Sequence, residues 1–346
     1  MEDYHYLIVK SITKVYEEKL FSLRSNYQGH WSIRMWRIKG GKKYLPSTFT
    51  EFQFKTLRIL PKIAQVNLFK SAKSMGRKEL VNYKPTKPKR LLRLPLYEKN
   101  PELLVYIPLV HYLFLTKSFR LHQLPALKVF FDKGIRLLSG RGIEKLFLSN
   151  QFILTNPSVS ANSIYYFKFL KISDYEKELI DSYKKIWLEK EPADVIEWQN
   201  KIYGFTHLII AASYFYQRKV DKTLFEWALS YFESNIDKII ENTNPDIVAE
   251  VGLCFRLCDI ETSPVLARAR QYISSRFDNT KGYIPREKDD SLERAEHRNI
   301  VAILLLAKKL GFNKGPDLSS YLTDSKNSLV LPQEIKVIGS SDQEEL

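Results

Sequence analysis

Few side chains in this 346-residue sequence can do chemistry near neutral pH: six histidines and two cysteines. His207 lies in KIYGFTHLIIAASYFYQ (201–217), an otherwise almost wholly apolar run. His297 lies in LERAEHRNIVAILLLAKKL (292–310). Asp246 and Glu250 stand one helical turn apart in TNPDIVAEVGLCFRLC (243–258). A glutamate beside imidazoles can act as a general acid or base. Cleaving a glycosidic bond usually takes two carboxyls, and Asp246 is the obvious second one. Asp246, Glu250, His207 and His297 are therefore the candidate catalytic set. No metal or cofactor is expected with this set. The alternative is a zinc site, because Cys254 lies one turn beyond Glu250 and could join His207 and His297 as a ligand.

Basic and aromatic residues would set the sign of the substrate. Arg298 follows His297 directly. The stretch GHWSIRMWR (29–37) places His30, Arg34 and Arg37 among Trp31 and Trp36. An arginine beside a tryptophan can hold a carboxylate or phosphate while the ring stacks on the apolar face of a sugar. His30, Arg34, Trp36, Asn162 and Arg298 are the candidate substrate-binding residues. His111, in IPLVHYLFL, reads as a core residue, and Glu51 reads as a helix-capping residue.

The elements that must position these residues are helices. Apolar residues recur at three and four, as in Leu224, Trp227, Ala228 and Tyr231, and long period-two runs are missing. A repeat gives the register. TNPSVSANSIYYFKFL (155–170) and TNPDIVAEVGLCFRLC (243–258) share five identities in 16 positions. In both, Asn-Pro reads as a helix start, with Asn capping free N–H groups and Pro at the first helical position. Thr48, Asn100, Asn156, Asn200, Asn244 and Ser291 are the expected starts of six apolar helices, with Thr48 and Glu51 forming a capping box. Asn162, Glu250 and His297 each lie six residues past such a start, and His207 lies seven past. More charged amphipathic helices are expected at 4–24, 122–139, 174–190, 221–240 and 262–277, and one is placed at 62–75. Apolar helices want burial and amphipathic ones want one wet face, so the two sets would form inner and outer layers.

Six alternating helix pairs resemble the (α/α)6 toroid of six-hairpin glycosidases, lanthionine cyclases, terpene cyclases and protein prenyltransferases, over about 4–311. An irregular α-solenoid is the alternative all-α architecture. The resemblance implies a cavity where the inner helices start, with Asn162, His207, Glu250 and His297 at its mouth. The Cys-His dipeptide of the cyclases that make lanthionine and the Gln-Trp repeat of terpene cyclases are absent from the sequence. One domain, 1–311, is expected, with a basic loop at about 76–95 and a mobile tail over 312–346.

Lys plus Arg total 54 against 39 for Asp plus Glu, a net charge of +15. Such a chain favours anionic partners. Residues 70–93, with nine basic residues and one acid, could dock an anionic surface or nucleic acid. The first residues lack a secretory pattern and no window is long and apolar enough to span a membrane. A cytoplasmic protein, or a bacterial one exported without an amino-terminal signal, is expected. Gly-rich phosphate loops, G-x-S-x-G, HExxH and paired CxxC motifs are absent. The reading that results is a hydrolase or lyase working by acid/base chemistry on an anionic carbohydrate or similar acidic small molecule. A zinc enzyme acting on a thiol or peptide, and a non-catalytic scaffold, are the alternatives.

Overall fold

A computed structural model describes residues 2–66, 69–140, 142–189, 191–287, 289 and 291–324. Among them the secondary structure is helical, with two isolated β-bridges, Asp278 with Tyr283 and Arg286 with Asp289. The chain opens with α1 (Glu2–Glu18), α2 (Ser25–Lys39) and α3 (Leu45–Gln65), followed by α4 (Phe69–Asn82) and the short α5 (Pro88–Leu91) and α6 (Leu94–Lys99). Next come α7 (Leu103–Ser118), α8 (Pro125–Leu138) and two short helices, α9 (Glu144–Phe147) and α10 (Asn150–Thr155). The alternating pattern then sets in with α11 (Pro157–Leu170), α12 (Glu176–Leu188), α13 (Val195–Ala212), α14 (Glu226–Asn242), α15 (Pro245–Leu257), α16 (Pro264–Ser275) and α17 (Leu292–Leu306). The short α18 (Leu318–Thr323) ends the described chain.

Composition sorts these helices. α7, α11, α13, α15 and α17 are apolar on most sides and bury most of their residues. The intervening α8, α12, α14 and α16 bury only one face. The apolar helices pack on one another in order: α7 on α11, α11 on α13, α13 on α15, α15 on α17. α17 packs on α2, α2 on α3, and α3 on α7. Close packing needs small residues at the contacts. A Cβ on Gly204 of α13 would come within 2.9 Å of Pro157 on α11. At the carboxyl ends of α15 and α17, the buried Arg256 donates from Nη1 to the Leu304 carbonyl at 2.6 Å, and its Nε pairs with Glu261 at 3.0 Å. The turn at 281–285 is stitched to α17 through Asn299, which accepts from the Ile284 N–H and donates to the Ile284 carbonyl. No described helix is long and apolar enough to cross a membrane.

Several expected boundaries move. Asn156-Pro157 and Asn244-Pro245 do open helices, and Asn244 caps through the Ile247 N–H at 3.1 Å. Asn200 does not: α13 starts earlier, where Asp194 accepts from the Glu197 N–H and Glu197 accepts from the Ala193 N–H. That reciprocal pair outcompetes an asparagine with no acid following it. Thr48 lies inside α3 and bonds back to the Tyr44 carbonyl. Asn100 ends α6 and starts nothing. α3 continues through Pro61 to Gln65. The expected basic loop is largely helical, in α4 and α5. The tail expected to be mobile from 312 is docked as far as 324: Asn313 N–H donates to the Arg37 carbonyl and Leu318 N–H to the Phe119 carbonyl. The remainder of that tail, 325–346, lies outside the described residues.

Candidate active site

Each helix of this packing circuit carries polar side chains into one cluster. α15 supplies Asp246 and Glu250 from one face, spaced i and i+4. α17 supplies Glu296, His297 and Arg298. α13 supplies Tyr203, Thr206 and His207; α11 supplies Asn162 and Tyr166; α2 supplies His30 and Arg34. α3 and α7 add Glu51, Lys55 and His111.

Glu250 is at the centre and is 1% exposed. Its Oε2 accepts from the Thr206 hydroxyl at 2.9 Å, and its Oε1 faces His297 Nε2 at 3.5 Å and His207 Nε2 at 4.0 Å. Burial pushes its carboxyl up to about 7, against the pull of the His297 charge and the Thr206 hydrogen bond. Asp246 sits differently. Its Oδ1 accepts from Arg298 Nε at 2.8 Å, and its Oδ2 lies 3.6 Å from His297 Nδ1. Burial opposes its ionisation, but His297 and Arg298 outweigh burial and hold it at about 2. Burial works against a charge on His297 as well. Asp246 and Glu250 overcome that cost, and the imidazole is held above its ordinary range. His297 thus faces a fixed carboxylate at Nδ1 and presents Nε2 to a carboxyl poised between its two forms.

His207 completes this side. Its Nδ1 meets Asn162 Oδ1 at 3.2 Å, which places the ring proton on Nδ1. Nε2 is buried with no hydrogen-bond partner among the described residues. Its ring packs edge-on against Tyr203 at 4.3 Å. Burial, then the nearby His297 and Arg34, push the imidazole down to about 3, so it stays neutral. His297 is hemmed in by protein yet a third of its side chain meets solvent, so the cluster is recessed but open.

Across from Glu250, His30 Nδ1 contacts Glu296 Oε1 at 2.8 Å, and the His30 ring lies 5.4 Å from that of His297. The distance is that of an ion pair, but burial pushes Glu296 up to about 8 and His30 well below its ordinary range. Burial thus favours a neutral hydrogen-bonded pair over an ion pair. Glu51 pairs with Lys55 at 2.5 Å and lies against Gly29, where any Cβ would collide with the Glu51 carboxylate. His111 stacks on Tyr166 at 5.5 Å.

The structure therefore joins eight of the nine residues expected to bind or react directly, namely Asp246, Glu250, His207, His297, His30, Asn162, Arg298 and Arg34. Arg34 donates to the His30 carbonyl at 3.2 Å and lies over the Tyr216 ring at 5.7 Å. Trp36 is elsewhere: its indole N–H donates to the Lys314 carbonyl. Trp31 stacks on Tyr16 in the core. Cys254 is buried beyond Glu250 with Sγ toward the Thr206 carbonyl at 3.7 Å, and burial pushes its thiol well up. Among the described residues no three His, Cys, Asp or Glu side chains are grouped so as to hold a metal ion. Glu51 and His111 belong to the cluster and are neither a cap nor plain core. Glu296 is not among the residues the sequence singles out; from the position before His297 it reaches His30 instead.

Residues 6–336 match a family model described as a domain of unknown function, DUF3541. No curated protein and no solved structure matches the chain.

Proposed function

The chain belongs to the DUF3541 family, and from its site we propose an enzyme that works by acid/base chemistry on an anionic carbohydrate or a similar acidic small molecule. The carrying observation is the Asp246–His297–Glu250 array, in which a fixed carboxylate orients an imidazole toward a buried carboxyl held at about 7. A group with its pKa near the working pH is the most effective proton donor or acceptor. In this reading Glu250 transfers the proton at the reacting centre, and His297 is its partner. Asp246 is a positioning residue, fixed by Arg298, and not the second carboxyl of a glycosidase pair. The free Nε2 of His207 accepts a substrate hydroxyl. Arg34 meets the substrate's negative charge.

The closed circuit of packed helices supports reading the architecture as a toroid whose interior holds the site. A hydrolase or lyase fits the array equally, because both need one proton taken and one given.

The test is a screen of the purified protein against uronate oligosaccharides, sulfated and sialylated glycans and sugar phosphates. Reducing ends and unsaturated products are followed, with Glu250→Gln in parallel. Turnover by the wild type that vanishes in a folded Glu250→Gln protein is expected. Equal turnover by the two proteins, or unfolding of the variant, overturns the assignment of Glu250.

A further inference from the structure

The acid/base array leaves a group of cations unused. Arg37 of α2 is 3% exposed. Its Nη1 donates to the Phe215 carbonyl at 2.9 Å and its Nε to the Gly315 carbonyl at 3.4 Å, but its Nη2 is buried with no partner. One helical turn back, Arg34 has a buried Nε with no partner. Among the described residues neither guanidinium has a carboxylate within ion-pair reach. A buried charge in that state is costly unless something compensates it.

The surroundings deepen the imbalance. Arg34 and Arg37 are close enough to repel. With burial the larger cause, that repulsion brings the Arg37 guanidinium down to about 9. His111 is near Arg34, Arg37 and Lys55 together; burial first and then those three charges push it down to about 3. The Arg34 charge acts on Glu296 and Glu250, but burial outweighs it and holds both toward the neutral form. Of Lys55, Arg34, Arg37 and His111, only Lys55 is paired with a carboxylate, Glu51, among the described residues.

The wall opposite the arginines is unusual backbone. Tyr214, Phe215 and Tyr216 all have positive φ, at 51°, 58° and 73°. Three consecutive non-glycine residues in the left-handed region cost free energy, which other contacts must offset. The turn is held by Ser213 Oγ, which accepts from the Tyr216 N–H at 2.8 Å, and by Arg37 on Phe215. It brings the Tyr216 ring under Arg34 and stacks Phe215 on Tyr166.

We propose that Arg34, Arg37 and His111, walled by Tyr166 and Tyr216, form a subsite for a dianionic phosphoryl group of the substrate. This rests on the acid/base reading above and narrows its acidic sugar to a phosphorylated one. Two uncompensated guanidiniums with free buried donors match two negative charges and several acceptor oxygens. A single carboxylate would leave one of the two cations uncompensated.

The experiment is calorimetric titration at fixed ionic strength with inorganic phosphate, and separately with glucuronate. Saturable one-site phosphate binding by the wild type is expected. Arg34→Gln should weaken it about tenfold or more, as loss of a charge-assisted hydrogen bond does. Glu250→Gln should not weaken it, since a carboxyl near the subsite offers a phosphate no attraction and, where ionised, repels it. Arg37→Lys keeps the charge and a donor for Phe215 but loses the free Nη2; it should weaken binding too and serves if Arg34→Gln fails to fold. Absence of saturable phosphate binding, or binding unchanged in both arginine variants, overturns the subsite. So does glucuronate binding tighter than phosphate with the same Arg34 dependence. In each overturning case, Glu250-dependent turnover of another acidic sugar would still stand, so failures of the subsite and of the catalytic assignment are separable.

Discussion

The two sides of the polar cluster handle charge in opposite ways. On the α15–α17 side each ionised group has a partner: Asp246 with Arg298 and His297, and His297 between two carboxyls. On the α2 side two guanidiniums stand together with buried N–H groups unused. The first arrangement fixes geometry and tunes proton affinity, as a reacting centre requires. The second stores unmet attraction for negative charge, as a binding subsite requires. The two arrangements adjoin: the Arg34 charge acts on Glu250, Glu296 and His297.

The sharpest way to break the contrast is at Glu250. Glu250→Gln keeps the size and the ability to accept from Thr206. Turnover should fall by about 10²- to 10⁴-fold, the usual contribution of a positioned proton donor or acceptor. The melting temperature should stay within a few degrees of wild type, read by circular dichroism beside the rate. The limb near pH 7 in the pH dependence of kcat/KM should disappear with it, since Glu250 is held at about 7. A limb that persists in the variant would transfer that titration to His297.

Asp246→Asn is the next largest. It leaves His297 without its fixed carboxylate, and kcat should drop about tenfold or more while KM changes little. Arg298, only 8% of whose side chain is exposed, would lose its counter-charge. Stability should therefore fall by about 1–3 kcal/mol in denaturant titration. The downward shift of the pH limb governed by His297 distinguishes loss of positioning from general damage.

Much of this was legible in the residues and some was not. The repeat of Asn-Pro, with Asn162 or Glu250 six residues on, placed those two on matching faces because a helix start fixes the register of the turns beyond it. His207 reached the site although its helix does not start at Asn200. Its approach to Asn162 and Glu250 depends on where α13 packs, and the Asp194–Glu197 box that opens α13 was readable as Asp-x-x-Glu. Glu296 was hidden because adjacent residues on a helix point about 100° apart. Only the closeness of α2, which carries His30, separates its role from that of His297. The basic run at 70–93 reads as a loop by charge alone, yet much of it is helical, because lysine and arginine are good helix formers and charge density says nothing against a helix. The positive-φ turn at 214–216 left no trace in composition: it carries none of the glycine or asparagine that usually marks such a turn.

Glu296 offers a smaller effect with a definite sign. Its carboxyl is about 8 in the folded protein against about 4.5 unfolded. The folded state therefore holds the proton more tightly, and the stability linked to it is present below pH 4.5 and lost as pH rises through 8. Glu296→Gln removes that loss and leaves an amide to contact His30. The variant should melt higher than wild type at pH 8–9, with the gap closing towards pH 5. A gap independent of pH would mean that Glu296 is ionised against a charged His30, and the neutral pair would be wrong.

Trp36 marks the edge of the comparison and should show the smallest effect. It lies two residues past Arg34, and residues two apart on a helix do not share a face. Its indole donates to the Lys314 carbonyl at 3.1 Å, on the segment that closes over the carboxyl end of α2. Trp36→Phe keeps most of the apolar contact and loses one hydrogen bond, a cost of about 0.5–1.5 kcal/mol. Turnover and phosphate binding should stay within about twofold of wild type, because the indole's hydrogen bond goes to Lys314 and not to the Glu250 array or the Arg34–Arg37 pair. The same substitution would lower affinity for an acidic sugar if Trp36 stacked on it, as an arginine–tryptophan pairing first suggests. Measuring affinity for one sugar phosphate in Trp36→Phe and Arg34→Gln side by side separates an anchor made of charge from one made of a ring.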